Sequence, residues 1–338
     1  MKRSQRQIVS MTLGIVAILA IIVFARPREA VPQSQKPEAA VQVRLAHFPN
    51  LTHAPALVAV AKGMFDSGLG DRGRLEVKVV NAGPEAMEAM LAGELDLAYV
   101  GPSPAINTYI KTGGKDVRVV AGACAGGASL VARKDAGIRS LKDLAGKRVA
   151  TPQLGNTQDV SLRSFIATVG LAPKERGGQV EILPIKNPDI FAQFKLGQID
   201  AAWVPEPWAT RIVEETGAVR VLDERTLWPK GEFPTTVIVA RTAFLEAHPD
   251  LVGSVVQANR DAIRWIAQSP DEARKVVNDE LKRLTGKALP PVVLDASWSF
   301  MTFTEDPMPN CFETFVKAAA AAGFLKDPPT TIQGLFSP

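Results

Sequence analysis

The chain of 338 residues is 46% hydrophobic and 22% charged, a globular balance that suits one large domain or two smaller ones. Its formal charge of +4 is partly terminal, because Lys2, Arg3, Arg6, Arg26 and Arg28 all precede residue 30, and the near balance of the rest excludes a nucleic-acid footprint. The 2 cysteines (Cys124, Cys311) and 3 scattered histidines (His47, His53, His248) exclude a metal-type spacing and leave open one disulfide in an oxidising compartment.

Residues 1–7 are basic and residues 8–25 almost entirely apolar, the pattern of an export signal. The apolar run reaches the length of a minimal membrane span. Val23-Phe24-Ala25 is a poor cleavage site, and no cysteine stands there to take a lipid. We read 1–25 as a signal anchor or a cleaved signal peptide. Residues 26–40, rich in Pro, Gln, Glu and Lys, read as a disordered tether. The folded part would then lie outside the cytoplasm, in the periplasm or at the cell surface, attached to the membrane if the segment is kept.

From residue 41 short β-rich runs alternate with helical patterns, which predicts α/β parallel sheets. Strands are predicted at 41–46, 75–80 and 95–100, with helices at 52–62 and 84–92 between them. Thr52 and Pro84 start these helices, and Gly63 and Gly93 stop them. The order then recurs, with strands at 148–151, 180–183 and 199–204 and helices at 159–169 and 188–196. Its closest echo is Gly93-Glu94-Leu95-Asp96-Leu97-Ala98-Tyr99-Val100 against Gly197-Gln198-Ile199-Asp200-Ala201-Ala202-Trp203-Val204. Two similar βαβαβ lobes follow. We assign 41–130 and 236–338 to lobe 1 and 131–235 to lobe 2, because the mostly helical stretch after 246 should pack back on the first lobe. Segments 129–133 and 235–241 end alike, in Ser-Leu-Val-Ala-Arg and Val-Ile-Val-Ala-Arg, and are expected to be the crossing strands.

Several stretches carry a family resemblance. They are His47-Phe48-Pro49-Asn50-Leu51-Thr52-His53-Ala54, Tyr99-Val100-Gly101-Pro102-Ser103-Pro104, Ser140-Leu141-Lys142-Asp143-Leu144-Ala145-Gly146-Lys147 and Trp203-Val204-Pro205-Glu206-Pro207-Trp208. Together they resemble the nitrate/sulfonate/taurine-type periplasmic substrate-binding proteins of ABC transporters, the aliphatic sulfonate-binding subgroup above all. The resemblance implies an α/β, two-lobed, type II (Venus-flytrap) periplasmic-binding fold. It also implies a monomer that captures a small anion for an ABC permease and its ATPase, with no cofactor and no enzymatic activity. Thiamine-precursor (pyrimidine) binding, or a cysteine-dependent enzyme on the same fold, stay open as alternatives.

A sulfonate can be held by helix N-terminal amides and hydroxyls without a full counter-charge. The expected ligand set is therefore the residues at helix starts: Asn50, Thr52 and His53; Ser103; and Asn156, Thr157 and Gln158. Gly101 and Gly127 would let backbone amides approach. Thr52 and Asn156 can equally be N-caps alone. Tyr99 and Trp203, at equivalent strand ends, would cover an organic tail or pack in the core. Glu206 would meet a ligand amine or a basic group of lobe 1, and Trp208 would stand beside it. No nucleotide-binding loop or hydrolase motif occurs. Cys124, just before Gly126-Gly127, is the candidate nucleophile, but no base is identifiable for it.

Overall fold

The computed structural model describes residues 39–326, 329 and 331–336. The expected export signal and all but the end of the tether fall outside them. No helix among the described residues is long and apolar enough to cross a membrane.

The first part of the chain runs β1 (Val41–His47), α1 (Ala54–Ala61), α2 (Met64–Leu69), β2 (Gly73–Val79), α3 (Gly83–Leu91), β3 (Leu97–Val100), α4 (Pro102–Lys111) and β4 (Val117–Gly126). Next come β5 (Ala128–Ala132), β6 (Arg148–Thr151), α5 (Thr157–Ala167), β7 (Glu181–Pro184), α6 (Asn187–Lys195), β8 (Ala201–Pro205), α7 (Trp208–Thr216) and β9 (Val219–Asp223). The last part is β10 (Pro234–Arg241), α8 (Thr242–Ala247), α9 (Pro249–Gln268), α10 (Pro270–Thr285), α11 (Pro291–Trp298), β11 (Met301–Phe303) and α12 (Pro309–Ala321). Helices α1, α3, α4 and α6 carry proline in the first turn, where its fixed φ suits the helix and its missing N–H breaks no helical bond.

One sheet has the order β11-β4-β10-β3-β1-β2 and the other β7-β6-β8-β5-β9. In each, three parallel strands are followed by one antiparallel strand. That strand is β10 beside β3 in the first sheet and β5 beside β8 in the second. Each antiparallel strand is the first one formed after the chain has changed sheets. The segments expected to cross are thus strands of the sheets themselves. The crossings are Gly126–Gly127, both at positive φ, and residues 224–233. Strands β3 and β8 are buried along their whole length, with helices on both faces.

The repeated Gly-x-x-Asp motif has a structural role. Asp96 accepts the backbone N–H of Arg44 at 3.0 Å and the guanidiniums of Arg44 and Arg241 at 2.8 Å each. Asp200 accepts the backbone N–H of Arg148 at 2.8 Å and its guanidinium at 3.2–3.3 Å, with Arg133 at 3.9 Å. Both Arg44 and Arg148 also reach the carbonyl of the motif's glycine. The shared Val-Ala-Arg ending of β5 and β10 is thereby explained, since each arginine meets the aspartate of its own sheet. Burial alone would raise both carboxyl pKa values, but the arginine hydrogen bonds hold them below the usual carboxylate range.

Asp96 is fully buried and Asp200 is not. Asp96→Ala should therefore cost about 3 kcal/mol in urea unfolding, by stranding two arginines, and Asp200→Ala about 1 kcal/mol. Equal losses would show that the two clusters do not play matched roles graded by burial.

Candidate functional site

The parallel strands of both sheets point their C-terminal ends, and the helices that follow their N-termini, at one small cavity of ≈ 30 Å³. That space exceeds what one water needs, and it suits a compact group of a few heavy atoms. From the first sheet come Asn50, Thr52 and His53 in the turn before α1, Gly83 at the start of α3 and Gly101 at the N-cap of α4. From the second come Asn156, Thr157 and Gln158 at the start of α5, Asn187 at the start of α6 and Pro205 at the end of β8.

No Lys, Arg, Asp or Glu lines this cavity among the described residues. Its polarity comes from amides, hydroxyls and the positive ends of helix dipoles, the arrangement that favours an anion without a counter-ion. His53 fits the same scheme. Burial, helped by nearby His47, lowers its pKa well below the ordinary value, so the ring is neutral. Its Nδ1 accepts the N–H of Phe48 at 3.3 Å, which places the remaining proton on Nε2 as a donor. Phe48 stacks on the ring at 4.3 Å and fixes its plane.

The two sheets touch at this point. A Cβ on Gly101 would overlap Thr157 Oγ1, so glycine is required for α4 and α5 to approach. Thr157 Oγ1 and Asn187 Oδ1 are buried without a hydrogen-bond partner among the described residues. Trp208 Nε1 donates to Asn50 Oδ1 at 2.9 Å across the cleft, leaving the Asn50 amide hydrogens free. The Asn156 amide is consumed locally, accepting from the Asp159 N–H at 2.8 Å and donating to Gln158 Oε1 at 3.3 Å. Its role is the N-cap, and Gln158 keeps its own Nε2 hydrogens.

Asn50, Thr52, His53, Gly101, Asn156, Thr157 and Gln158 thus come together, and six other expected residues do not join them. Tyr99 is wholly buried in the core of the first sheet, its hydroxyl donating to Asn259 at 3.1 Å. Trp203 is buried in the second, stacked on Phe165 at 5.7 Å, with Nε1 donating to Glu224 at 2.7 Å. Ser103 is fully buried in the first turn of α4, and Gly127 forms the crossing beside Met301. Burial pushes the Glu206 carboxyl up, while Arg220 at 2.8 Å and Thr210 at 3.0–3.1 Å pull it back, so it is engaged away from the cavity. Trp208 lines a second, outer chamber instead. Asn81, Gly83, Asn187 and Thr235 line the cavity and were not anticipated. Asn187 stands just before the helix-starting Pro188, a signal that could have flagged it, whereas Asn81 lies three residues before Pro84. Cys124 and Cys311 are free, and burial raises the Cys124 thiol pKa with no base beside it.

The sequence profile of the NMT1-like family matches residues 35–279. The chain belongs to this family. It is 29% identical over 249 residues to the taurine-binding periplasmic protein of Escherichia coli K12, covering 73% of this chain and 74% of that one. Its fold matches the alkanesulfonate-binding protein SsuA of Xanthomonas axonopodis pv. citri bound to MOPS. The TM-score is 0.73 at 18% identity, over 88% of this chain and 98% of that one. It also matches the periplasmic nitrate-binding protein NrtA of Synechocystis PCC 6803, with TM-score 0.73 at 16% identity over 87% and 84%. The family member described here therefore has the two-sheet architecture of periplasmic binding proteins.

A neutral His53 has a consequence for pH. Calorimetric affinity for a permanently ionised anion should stay level between about pH 6 and 8, because no group in the ordinary histidine range changes charge at the site. If His53 instead bound the anion as a cation, affinity would fall as pH rises through about 6.5.

Proposed function

We propose that this chain is the extracytoplasmic receptor of an ABC importer, capturing a small oxyanion, with the sulfonate head group as the first choice, for delivery to a permease and its ATPase. The observation that carries this reading is the small cavity between the sheets, lined by donors from both of them and by no ionised side chain. A sulfonate stays ionised at all physiological pH and offers three acceptor oxygens. Thr157 Oγ1, the Asn50 amide, His53 Nε2 and first-turn N–H groups are suited to meet them. The similarity to taurine- and sulfonate-binding proteins supports the same class, and the basic-then-apolar N-terminal sequence supports export.

In this reading the first sheet with α9–α12 is one lobe, the second sheet is the other, and Gly126–Gly127 and residues 224–233 act as hinges. The anion closes the cleft because it bonds to both lobes only when they meet. Nitrate is the second reading, favoured by the small volume of the cavity. A pyrimidine is less suited, because Tyr99 and Trp203, the rings that would sandwich it, are spent in the two cores. A Cys124-dependent reaction is less suited too, because that thiol is buried and protonated.

Calorimetry with methanesulfonate, taurine, nitrate and a pyrimidine should show binding of the anions and not of the pyrimidine. Thr157→Val should weaken the anion by about 1–3 kcal/mol, the usual value of a hydrogen bond to a charged group. Scattering should show a smaller radius on saturation. Pyrimidine binding alone, or an unaffected Thr157→Val, would sink the proposal.

A further inference from the structure

Dipoles line the cavity, and the ionised groups just behind the lining decide how much charge those dipoles can support. Helices α1, α3, α4, α5 and α6 turn their N-termini towards it, and three of them carry a carboxylate in the first turn: Glu85 in α3, Asp159 in α5 and Asp189 in α6. A carboxylate there opposes the positive end of its own helix. Glu85 and Asp189 are exposed, so water and salt screen them, as they screen Lys186 at the N-cap of α6. Asp159 is fully buried, and its field is not screened in that way.

Asp159 does not itself line the cavity. One of its oxygens accepts from Thr151 Oγ1 at 3.0 Å, and the other accepts both the Gly155 N–H at 2.9 Å and Arg163 Nε at 3.0 Å. Arg163 stands one turn further along α5 and is almost as deep, its side chain 5% exposed. Its other carboxylate partner, Glu175, is half exposed. A buried guanidinium therefore sits in the helix whose first turn presents Thr157 and Gln158 to the cavity. Left to itself, it would add a positive charge behind the anion, felt strongly through a low-dielectric interior. Asp159 cancels it. Behind Pro205, on the other strand end, Glu206 cancels Arg220 in the same manner.

We infer that Asp159 sets the charge of the ion this receptor accepts: by cancelling Arg163 directly behind the site, it leaves dipoles alone to hold the ligand, enough for a monoanion and too little for a dianion such as sulfate. Asp159 is a positioning residue in this scheme, acting through Arg163 and not by touching the ligand. The inference rests on the proposed anion-receptor reading and adds the valence of the ion to it.

Asp159→Asn tests the charge with little change of shape. The oxygen that accepts from Gly155 and Arg163 survives in asparagine, and the amide N–H donates to Thr151 Oγ1 in place of accepting from it. Methanesulfonate and sulfate are the probes, because both are tetrahedral and they differ by one charge. Calorimetry at matched ionic strength should find methanesulfonate at least about tenfold tighter on the wild type. Asp159→Asn should narrow that ratio by about tenfold, because a dianion gains twice what a monoanion gains from the freed Arg163. Glu175→Gln, at the half-exposed partner of the same guanidinium, should narrow it by a smaller factor, and it carries the test if the buried variant does not fold. A ratio unmoved in a folded Asp159→Asn protein, with both ions weakened alike, assigns the residue a structural part only and overturns the inference. A wild type that holds sulfate as tightly as methanesulfonate overturns it too. Either result leaves the oxyanion receptor standing. Silence of the wild type towards methanesulfonate, nitrate and sulfate overturns both.

Discussion

An anion taken out of water with no counter-ion must meet dipoles already held in place, and the layout of the two sheets follows from this requirement. A single helix N-terminus carries about half a charge, too little to replace a hydration shell. Here α1, α3 and α4 from one sheet face α5 and α6 from the other around one cavity. That convergence depends on both sheets being built alike, so that all the parallel strands end at the same gap. The matched Asp96 and Asp200 clusters anchor the opposite ends of those strands, away from the cavity. Stability is thus concentrated at one edge of each sheet, and unpartnered donors are concentrated at the other.

The same logic explains why charged side chains stay close to the cavity but outside it. Asp159 is buried beside it, yet its oxygens are taken by Arg163, Thr151 and the Gly155 N–H. Glu206 is satisfied in the same way by Arg220 and Thr210. Each neutralised pair stiffens a loop that carries a site residue without presenting a charge to the ligand. An unpaired arginine in the cavity would hold an anion more tightly, but it would also have to be desolvated whenever the cleft closed empty.

Much of this could be read from the sequence, because helix starts have local chemistry. Asn50, Thr52, Asn156, Thr157 and Gln158 are small polar residues at the boundary between a strand and a helical pattern, and the cavity gathers them. Asn187 was passed over because the reading began its helix at Pro188, one residue too late, and Asn81 because it lies in the turn before the helix that starts at Gly83. Tyr99 and Trp203 failed for a different reason. Each lies on a strand buried on both faces, so its side chain points into a sheet–helix layer and not towards the strand's end. Whether a ring at a strand terminus covers a cleft depends on the helices above it, which sequence position does not reveal. The partner of Glu206 was equally hidden, since Arg220 arrives from β9 only after the sheet has formed. The lobe crossings were placed a few residues late because two similar strands looked like connectors, when their similarity comes from equivalent posts beside Asp96 and Asp200.

The proposed closure would draw on more than the ligand. Helix α11 packs against α7 and α12 against α5, so two helices of the C-terminal segment touch the second sheet's helices on different sides of the cleft. Arg220 lies 3.7 Å over the ring of Phe300, between α11 and β11, while the same guanidinium holds Glu206. Trp228 joins these surfaces in the crossing segment, 6.2 Å from Phe165 of the second sheet and 4.7 Å from Phe315 of α12. These contacts are apolar or cation–π in kind and do not involve the cavity, so under the proposed closure they would favour the closed form whether or not a ligand is bound. A ligand then needs only to supply the remaining difference between open and closed, and its apparent affinity rises with the fraction already closed. The cost of the arrangement is discrimination, because a cleft that shuts easily shuts on weak ligands too. The polar, size-limited inner cavity supplies what the rim does not. An ion that leaves the Thr157 hydroxyl unbonded removes a buried donor from water with no return, and that penalty separates a fitting oxyanion from a solute that cannot accept from it.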